Sequence, residues 1–370
     1  MRKSAVGLIV TGVAAALVLG ACSSSKKSGG SSKSGGSSAS GKVGVILPDT
    51  TSSTRYTLYD APLLKKSLDA AGVKSDIQNA GGSTTKFSQI ADAMIGEGVK
   101  ILLIDAPDAA TGAGVEQKAK QAGVQVIDYD RVNSGGSADY YVSFDNEYVG
   151  KLQGQTLVDC LKAKNAPKGA NIIEMDGGTD TDHNAVLFAK GYNSVLDPLY
   201  ADGTFKKASE AVVKGWTIAN AAPAFTQALT ANGGKVDGVI AANDDIANAV
   251  ITVLQSKHLN GVPVTGQDAG IEGLQHILKG EQCMTVFKDI KQEADAAAKL
   301  AIALIKGDDP ASVGTLTAFK DETNRTLKAL LLKPQVITKD NVKDVITAGA
   351  LKAADICKGI ESVCSKAGIS

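Results

Sequence analysis

Short apolar runs alternate with helix-like segments from Lys42 onward, and this alternation limits the folds that the chain can adopt. The run KILLIDA, residues 100–106, is apolar through its centre, as in a strand that is covered on both faces. The segment before it has one apolar face at helical spacing, formed by Phe87, Ile90, Ala91, Met94 and Ile95. Such alternation predicts an α/β fold with a doubly wound parallel sheet.

The same rhythm occurs twice, which predicts two α/β units of similar architecture. The strands predicted for the first unit are KVGVIL (42–47), KSDIQNA (74–80), KILLIDA (100–106) and VQVIDYD (124–130). The rhythm restarts after Phe144, and the second unit has ANIIEMDG (170–177), ASEAVVKGW (208–216), VDGVIAAND (236–244) and VPVTGQDAG (262–270). The Ala-rich segment Ile290–Lys306 predicts a long helix, and the first unit is a natural host for its apolar face.

The first residues have the composition of an export signal. A basic start, MRK, precedes the uncharged apolar stretch Val6–Leu19, which is short for a membrane span but suits a signal sequence. It leads into Leu19–Cys22, which resembles a bacterial lipobox, so we expect a lipoprotein signal peptide at residues 1–21 and lipidation of Cys22. The Ser/Gly/Lys-rich residues 22–41 are typical of a flexible tether outside the cytoplasm. The alternative is an ordinary secretory signal, in which Cys22 is incidental.

The cysteine pattern agrees with export. Apart from Cys22 there are four cysteines, and an even number outside the cytoplasm predicts two disulfides with three possible pairings. Closeness in sequence favours Cys357–Cys364, which leaves Cys160–Cys283 as the second pair. The first pair needs a bend, because seven residues of straight helix span about 10 Å. A metal site is the weaker interpretation, since no CxxC or His–Cys cluster occurs.

The charge balance argues against nucleic acid as a partner. The 39 basic and 39 acidic residues give a formal net charge of zero, and no basic stripe occurs. No motif predicts a bound cofactor.

Polar and aromatic side chains follow the predicted strands at the points where the strands end. Ligands of open α/β sheets bind beyond the carboxyl ends of the strands. The candidates there are Arg55, Tyr56, Asp130, Arg131, Asn184, Trp216, Asn243, Asp268 and Lys288. Such groups exchange hydrogen bonds with adjacent hydroxyls, and an aromatic face covers the C–H side of a ring. The set predicts a sugar site in which Asp130 and Arg131 grip vicinal hydroxyls and help to neutralise each other.

Each candidate also has a structural interpretation. Asp130 and Arg131 could form a local surface ion pair, and Trp216 could belong to the core. Asn243 could cap the helix that follows it, and Asp268 could be a turn residue. The ligand-binding interpretation is favoured because every polar cluster falls at the same edge of the predicted sheets.

These residues stand in motifs that resemble a known family. The chain from Lys42 to about Lys343 resembles the periplasmic sugar-binding proteins of ABC importers, and among them the xylose-binding members. The matching pieces, in order, include YDRV (129–132), YYVSFDNEYVGKLQ (140–153), GGTDTDHNAVLF (177–188), GQDAG (266–270) and MTVFK (284–288). The resemblance implies the type I fold of these binding proteins and assigns sugar contacts to the nine candidates. Tyr56 and His183 depart from the family's pattern, so another pentose or a hexose stays open as the ligand.

The resemblance also implies how the chain is divided and how it works. One lobe would comprise residues 42–143 and 289–315, and the other residues 144–288 and 316–370, with the tail strand LKALLLK (327–333) in the second. Three crossings between the lobes would form a hinge. The lobes would close on one monosaccharide, D-xylose in first place, and the closed monomer would dock on an ABC permease without covalent chemistry.

Two other functions compete with this one. A glycosidase needs two carboxylates that flank the bond, and Asp130 and Asp268 could be placed so. Each has a basic neighbour or candidate partner that favours the ionised form, which makes a poor general acid. A sugar receptor for a sensor kinase would have the same sequence features as a transport receptor, and a neighbouring permease gene would discriminate between them.

Overall fold

The computed structural model describes residues 41–369. The predicted signal peptide, the predicted lipidation site at Cys22 and all of the predicted tether except Gly41 lie outside the described residues. Within residues 41–369, no helix combines the length and the apolar character that a membrane crossing requires.

Strands and helices alternate along most of the chain. The strands are β1 (Lys42–Leu47), β2 (Lys74–Asn79), β3 (Ile101–Ile104), β4 (Gln125–Tyr129), β5 (Tyr140–Phe144), β6 (Ala170–Asp176), β7 (Phe205–Val212), β8 (Gly238–Ala241), β9 (Thr285–Phe287), β10 (Thr317–Lys320), β11 (Thr326–Leu332) and β12 (Gln335–Ile337). The helices are α1 (Ala61–Ala70), α2 (Thr84–Gly96), α3 (Ala109–Gln121), α4 (Asn146–Ala163), α5 (His183–Ala201), α6 (Ala221–Ala231), α7 (Asp244–Ser256), α8 (Ile271–Lys279), α9 (Ile290–Lys306), α10 (Lys343–Thr347), α11 (Ala353–Cys357) and α12 (Glu361–Lys366). A π-helical turn, Tyr56–Asp60, leads into α1.

The first lobe is built on a sheet with the strand order β10-β11-β5-β4-β3-β1-β2. All neighbours are parallel except β10 and β11. Val45 and Leu103 pack with α1 and α9 on one face, while Ile46 and Leu102 pack with α2 and α3 on the other. This two-sided burial explains the continuous apolar strands and confirms the predicted doubly wound sheet.

The tail strand lies in the first lobe, so the expectation that residues 316–370 all belong to the second lobe is wrong. Strand β11 pairs parallel to β5, and β10 pairs antiparallel to β11. Leu327 and Ala329 of β11 are buried with the α2 and α3 layer, and Leu330 is buried with the α1 and α9 layer. Strand β11 thus fills the open edge beside β5 with apolar side chains on both faces.

The second lobe is built on the parallel strands β7-β6-β8. The segment 262–270, predicted as a strand and a turn, pairs only at Val264 with Val239 of β8 and at Gln267 with Val286 of β9. Pro263 lacks an amide hydrogen and Asp268 has a φ of 93°, which interrupts a regular strand. Strand β12 pairs antiparallel to β9, and α10–α12 pack against α8 in a separate apolar cluster.

The chain crosses between the lobes three times, as predicted. The crossings follow β5, β9 and β11, each of which ends in one lobe before the next element begins in the other. Helix α9 occupies the predicted residues, and its Ala297, Leu300 and Ala301 are buried in the first lobe.

Both expected disulfides are present in the described residues. Cys160 of α4 is bonded to Cys283, which precedes β9, and Cys357 is bonded to Cys364. The second pair joins α11 to α12, and Gly359, with a φ of 80°, supplies the bend between them.

Candidate ligand-binding site

The nine side chains predicted from the sequence all line one cavity between the lobes. Four come from the first lobe, four from the second and one from the second crossing: Arg55, Tyr56, Asp130 and Arg131; Asn184, Trp216, Asn243 and Asp268; and Lys288. All are buried except Asp268, whose side chain is 18% exposed. The free space between them is about 30 Å³, room for a water molecule or two. A ring-sized ligand can therefore enter only when the lobes or the lining side chains move apart.

Arg55 is fixed by three buried carboxylates. Its Nε and Nη2 donate to the two oxygens of Asp60 at 3.0 and 2.8 Å, and Nη2 also donates to Glu293 at 2.6 Å. Its Nη1 donates to Asp130 at 2.9 Å. Burial raises the pKa of Glu293 to about 8, although the charge of Arg55 opposes that shift. Because Glu293 lies on α9, its hydrogen bond with Arg55 connects the cavity to the helix that follows the second crossing.

Asp130 is held from both its side chain and its main chain. Tyr56 Oη donates to its carboxylate at 2.7 Å, while its carbonyl accepts from Ser143 Oγ at 2.8 Å and from Asn184 Nδ2 at 2.7 Å. Its φ of 61° is unusual for a residue with a side chain, and these contacts hold that conformation. Burial opposes ionisation, but the charges of Arg55 and other nearby cations outweigh it, so the pKa of Asp130 lies below its ordinary value.

Arg131 has closer ionic partners than Asp130, although the charges of Asp130 and Arg131 also stabilise each other, as expected. Its Nε lies 3.6 Å from Asp105 Oδ1 and 3.5 Å from Asp182 Oδ2, while the closest cation to Asp130 is Arg55. Burial raises the pKa of both Asp105 and Asp182 against the opposing charge of Arg131. The closest ionic partner of Asp130 is thus Arg55, whereas those of Arg131 are Asp105 and Asp182.

Tyr56 lies between the two guanidinium groups. The Cζ atoms of Arg55 and Arg131 are 5.4 and 5.5 Å from the centre of its ring. Cations near an aromatic face are attracted by its electron density, so the ring helps to keep both arginines in place. Tyr56 departs from the family's pattern, but it still gives the cavity an aromatic wall. Its hydroxyl donates a hydrogen bond to Asp130.

The start of α5 places Asn184 and Trp216 through one aspartate. Asp182 caps the helix by accepting from the amide of Asn184 at 2.9 Å, and its other oxygen accepts from Trp216 Nε1 at 3.0 Å. Asn184 Oδ1 also accepts from Tyr141 Oη of the first lobe at 2.8 Å. Asn184 therefore contacts both lobes at the floor of the cavity.

Trp216 depends on two glycines for its place. A Cβ on Gly177 or Gly178 would lie 2.1 or 2.7 Å from the indole, which is closer than atoms can approach. The indole is 6% exposed, belongs to the core of the second lobe and also lines the cavity. Trp216 thus belongs to the core and also forms part of the cavity wall.

Another part of the cavity wall is formed by Asn243, Asp268 and Lys288. Asn243 caps α7, because its Oδ1 accepts from the amide of Ile246 at 2.9 Å, which leaves its amide nitrogen for a ligand. Lys288 Nζ lies 3.3 Å from Asp268 Oδ1 and 5.8 Å from the ring centre of Phe188. Burial lowers the pKa of Lys288, but Asp268 and other carboxylates outweigh this and raise it overall.

Sequence reasoning missed several residues of this site. Ser52, Asp182 and Phe188 also line the cavity, and Asp60 and Glu293 support Arg55 from behind. Asp182 stands just before an apolar helical pattern, a cap signal that could have identified it. Glu293 stands at helical spacing from Ala297 and Leu300, and this place on the apolar face of α9 could have identified it as buried. His183 does not line the cavity; its Nδ1 lies 2.6 Å from Glu322 Oε1 of the first lobe.

The cavity is suited to a small hydroxylated ring. Fixed cations, carboxylates and amides project from both lobes, and Trp216, Tyr56 and Phe188 supply aromatic surface. Fixed donors and acceptors of this kind can satisfy a ring of hydroxyls that would otherwise lose their hydrogen bonds on burial.

Two proteins with similar sequences are named as periplasmic sugar-binding proteins. A D-xylose-binding periplasmic protein of Escherichia coli is 38% identical over 290 residues, which are 78% of this chain and 84% of that protein. A multiple sugar-binding periplasmic receptor of Rhizobium radiobacter is 33% identical over 332 residues, covering 86% of this chain and 92% of the receptor.

A solved structure and a family model agree with these relatives. The carbohydrate transporter solute-binding protein of Chloroflexus aurantiacus, in complex with D-glucose, has a TM-score of 0.75 at 30% identity and covers 85% of this chain and 97% of its own. This likeness confirms the predicted type I fold. The family model for the periplasmic binding protein domain matches residues 43–309. The chain therefore belongs to the periplasmic binding protein family.

Proposed function

We propose that this protein is the solute receptor of an ABC importer and that it binds a monosaccharide in the cavity between its lobes. D-xylose is the first candidate for this sugar. The observation that carries the proposal is the convergence of nine polar and aromatic side chains from both lobes on one buried cavity. The names of the relatives support a sugar as the ligand.

The mechanism that follows from this geometry is closure on the ligand. The sugar would form hydrogen bonds with Asp130 and Arg131 of one lobe and with Asn184 and Asp268 of the other. It can make all of these hydrogen bonds only when the two lobes are close together. It therefore shifts the equilibrium from open to closed by its difference in affinity for the two states. The closed form is the one that the permease would recognise, and the three crossings are the proposed hinge.

Binding without covalent chemistry fits the carboxylates of the cavity. Asp130 has a lowered pKa, and Asp268 is paired with Lys288, so neither has the environment of a general acid. The carboxyl oxygens of both residues are suited to accept hydrogen bonds from hydroxyls.

The identity of the sugar is the finer part of the proposal. The relatives include receptors that are named for several sugars, and a solved neighbour holds D-glucose. A different pentose or a hexose is the second candidate, favoured by the departure at Tyr56. A role in presenting sugar to a sensor kinase is compatible with the same site.

The lipid anchor is part of the proposal and rests on the sequence. Cys22 would carry the lipid, and residues 22–41 would tether a monomeric binding protein at the outer face of the cell membrane. Mass spectrometry of the membrane fraction should find a diacylated Cys22, and Cys22→Ala should release the protein from the membrane.

Isothermal titration calorimetry tests the sugar assignment. Residues 41–370 are titrated with xylose, ribose, arabinose, glucose, galactose and inositol. We expect saturable one-to-one binding of at least one sugar at micromolar concentration, with xylose the tightest. Asp268→Ala should weaken it at least tenfold, while Asp340→Ala, an exposed aspartate outside the cavity, should not. Binding of none of these sugars would remove the proposed function, and tighter binding of another sugar would correct only the ligand.

A further inference from the structure

A second and larger cavity lies beside the candidate sugar site. Its volume is about 470 Å³, within the range of small-molecule pockets. Its walls are mainly apolar and come from both lobes: Leu58, Tyr59 and Leu63 from the first, and Ile271, Phe287 and Leu351 from the second. The residues of the second crossing, Lys288–Lys291, line it as well.

Two large apolar side chains that are exposed in the described residues line this cavity. In the part of the chain that the structure describes, Leu58 and Ile271 are the large apolar side chains that remain exposed, at 57% and 37%. They belong to opposite lobes, yet both line the same cavity. Exposed apolar surface that is concentrated in one concave place indicates a binding function more than scattered residues do.

The two cavities are neighbours with a shared wall. Ser53, Arg55, Asp268 and Lys288 line both of them. The Asp268–Lys288 pair, at 3.3 Å, therefore lies between the two, and the incomplete burial of Asp268 is consistent with that position. A substituent that points past this pair from a sugar in the first cavity would enter the apolar one.

We propose that the protein binds glycosides, in which the sugar fills the candidate site and an apolar or aromatic aglycone occupies the cavity lined by Leu58 and Ile271. This inference rests on the proposed sugar site and extends its ligand class from free sugars to substituted ones. The shared wall of the two cavities favours an aglycone over an unrelated second ligand, because a bound sugar places its substituent next to the apolar cavity. The aglycone would also contact both lobes and thereby favour the closed form.

Calorimetry with paired ligands tests the inference. Methyl and phenyl glycosides of the tightest-binding sugar are titrated in both anomeric forms. The methyl group tests whether the anomeric oxygen can be substituted, and the phenyl ring tests the apolar cavity. For one anomer we expect the phenyl glycoside to bind roughly tenfold or more tightly than the methyl glycoside, as burial of an aromatic ring predicts.

Two variants show where the phenyl ring lies. Leu58→Asn should remove the advantage of the phenyl glycoside and leave the affinity for the free sugar within about twofold of wild type. Leu316→Asn, a matched change of a half-buried first-lobe leucine outside the cavity, should preserve the advantage. A phenyl glycoside that binds no more tightly than the methyl glycoside in either anomer, or an advantage that survives Leu58→Asn, would overturn the inference. Free-sugar binding would then still support the proposed function, whereas the absence of all sugar binding would remove both.

Discussion

At the scale of single residues, the side chains behind the cavity are as constrained as those that face it. Arg55 is 3% exposed and makes ion pairs with Asp60, Asp130 and Glu293. A buried charge that loses its partner keeps its desolvation penalty without compensation. The cluster therefore stabilises the first lobe and also fixes the donor that Arg55 presents to the cavity.

Replacement of Arg55 should be costly for this reason. We expect Arg55→Met to lower the free energy of unfolding by about 3–5 kcal/mol, because it removes the nearest cation of the buried Asp60 and Asp130. Lys65→Met, which breaks the exposed Lys65–Asp69 pair on α1, should change it by less than about 1 kcal/mol. Urea denaturation measures both values. Equal effects of the two substitutions would contradict the importance assigned to the buried cluster.

Asp244 is a buried acid whose protonation depends on folding. It accepts from the amide of Gly270 and from Gln282 Nε2, each at 2.8 Å. Burial nevertheless raises its pKa to about 8. The folded state therefore holds a proton that the unfolded state releases above the ordinary aspartate pKa, and this group costs stability as pH rises from about 4 to 8.

Asp244→Asn should remove this pH dependence, because asparagine stays neutral. Between pH 5 and pH 8, we expect the unfolding free energy of the variant to improve relative to wild type by about 1 kcal/mol per pH unit. Asp340→Asn, on an exposed aspartate, is the control and should follow wild type. Parallel pH profiles of wild type and Asp244→Asn would contradict the raised pKa.

At the scale of elements, the contact between α4 and α5 positions the start of α5 at the cavity. The two helices approach so closely that a Cβ on Gly150 would lie 2.0 Å from the carbonyl oxygen of Phe188. A Cβ on Gly191 would lie 2.1 Å from the carbonyl oxygen of Glu147. Since α5 begins at His183–Asn184, a change in the separation of these helices would reach the ligand site.

Gly191→Ala should force the helices apart. The expected loss of unfolding free energy is about 1–3 kcal/mol, as for other overpacked cores, together with weaker sugar binding. Gly114→Ala on α3 is the matched control, because a Cβ there meets nothing within 4 Å. That change should stabilise the protein by about 0.5–1 kcal/mol through the higher helix propensity of alanine. Denaturation of both variants tests the contrast, and a neutral Gly191→Ala would contradict the close approach.

Local sequence patterns predict most helices and strands, but they do not predict the lobe to which strand β11 belongs. Residues 42–47 and 290–306 have the predicted structure, because apolar periodicity alone identifies such elements. Strand β11 was recognised as a strand and placed in the wrong lobe, since its location depends on which sheet has an open edge. Strand β5 was missed because YYVSF was interpreted only as part of a motif.

The cavity residues were predictable because they follow strands, and the strand ends of each sheet meet at one place. Their supporting partners were not. Asp60 and Glu293 stand at helical spacing from buried apolar residues, but that spacing does not show that Arg55 is the partner of both. The ion pair between Asp130 and Arg55 was not predicted either, because 75 residues separate the two in sequence.

At the scale of the whole molecule, the two disulfides close loops of very different length. Cys160–Cys283 spans 123 residues of the second lobe, and Cys357–Cys364 spans seven. By loop-closure entropy, removal should cost about 5 kcal/mol for Cys160→Ser/Cys283→Ser and about 2 kcal/mol for Cys357→Ser/Cys364→Ser. Thermal and urea unfolding of the two double variants provides the comparison, and a greater loss from the short loop would contradict this ranking.

The central claim also concerns the whole molecule: the ligand is a sugar, and it lies between the lobes. Trp216 is the single tryptophan of the chain, and it lines the cavity. The most direct measurement is a titration of its fluorescence with the sugar that calorimetry selects, in wild type and in Asp268→Ala. We predict a saturable change with the same midpoint as the calorimetric curve, shifted at least tenfold in the variant. A sugar that binds by calorimetry with no effect on Trp216 fluorescence and equal affinity for the variant would bind elsewhere, and the account would be wrong.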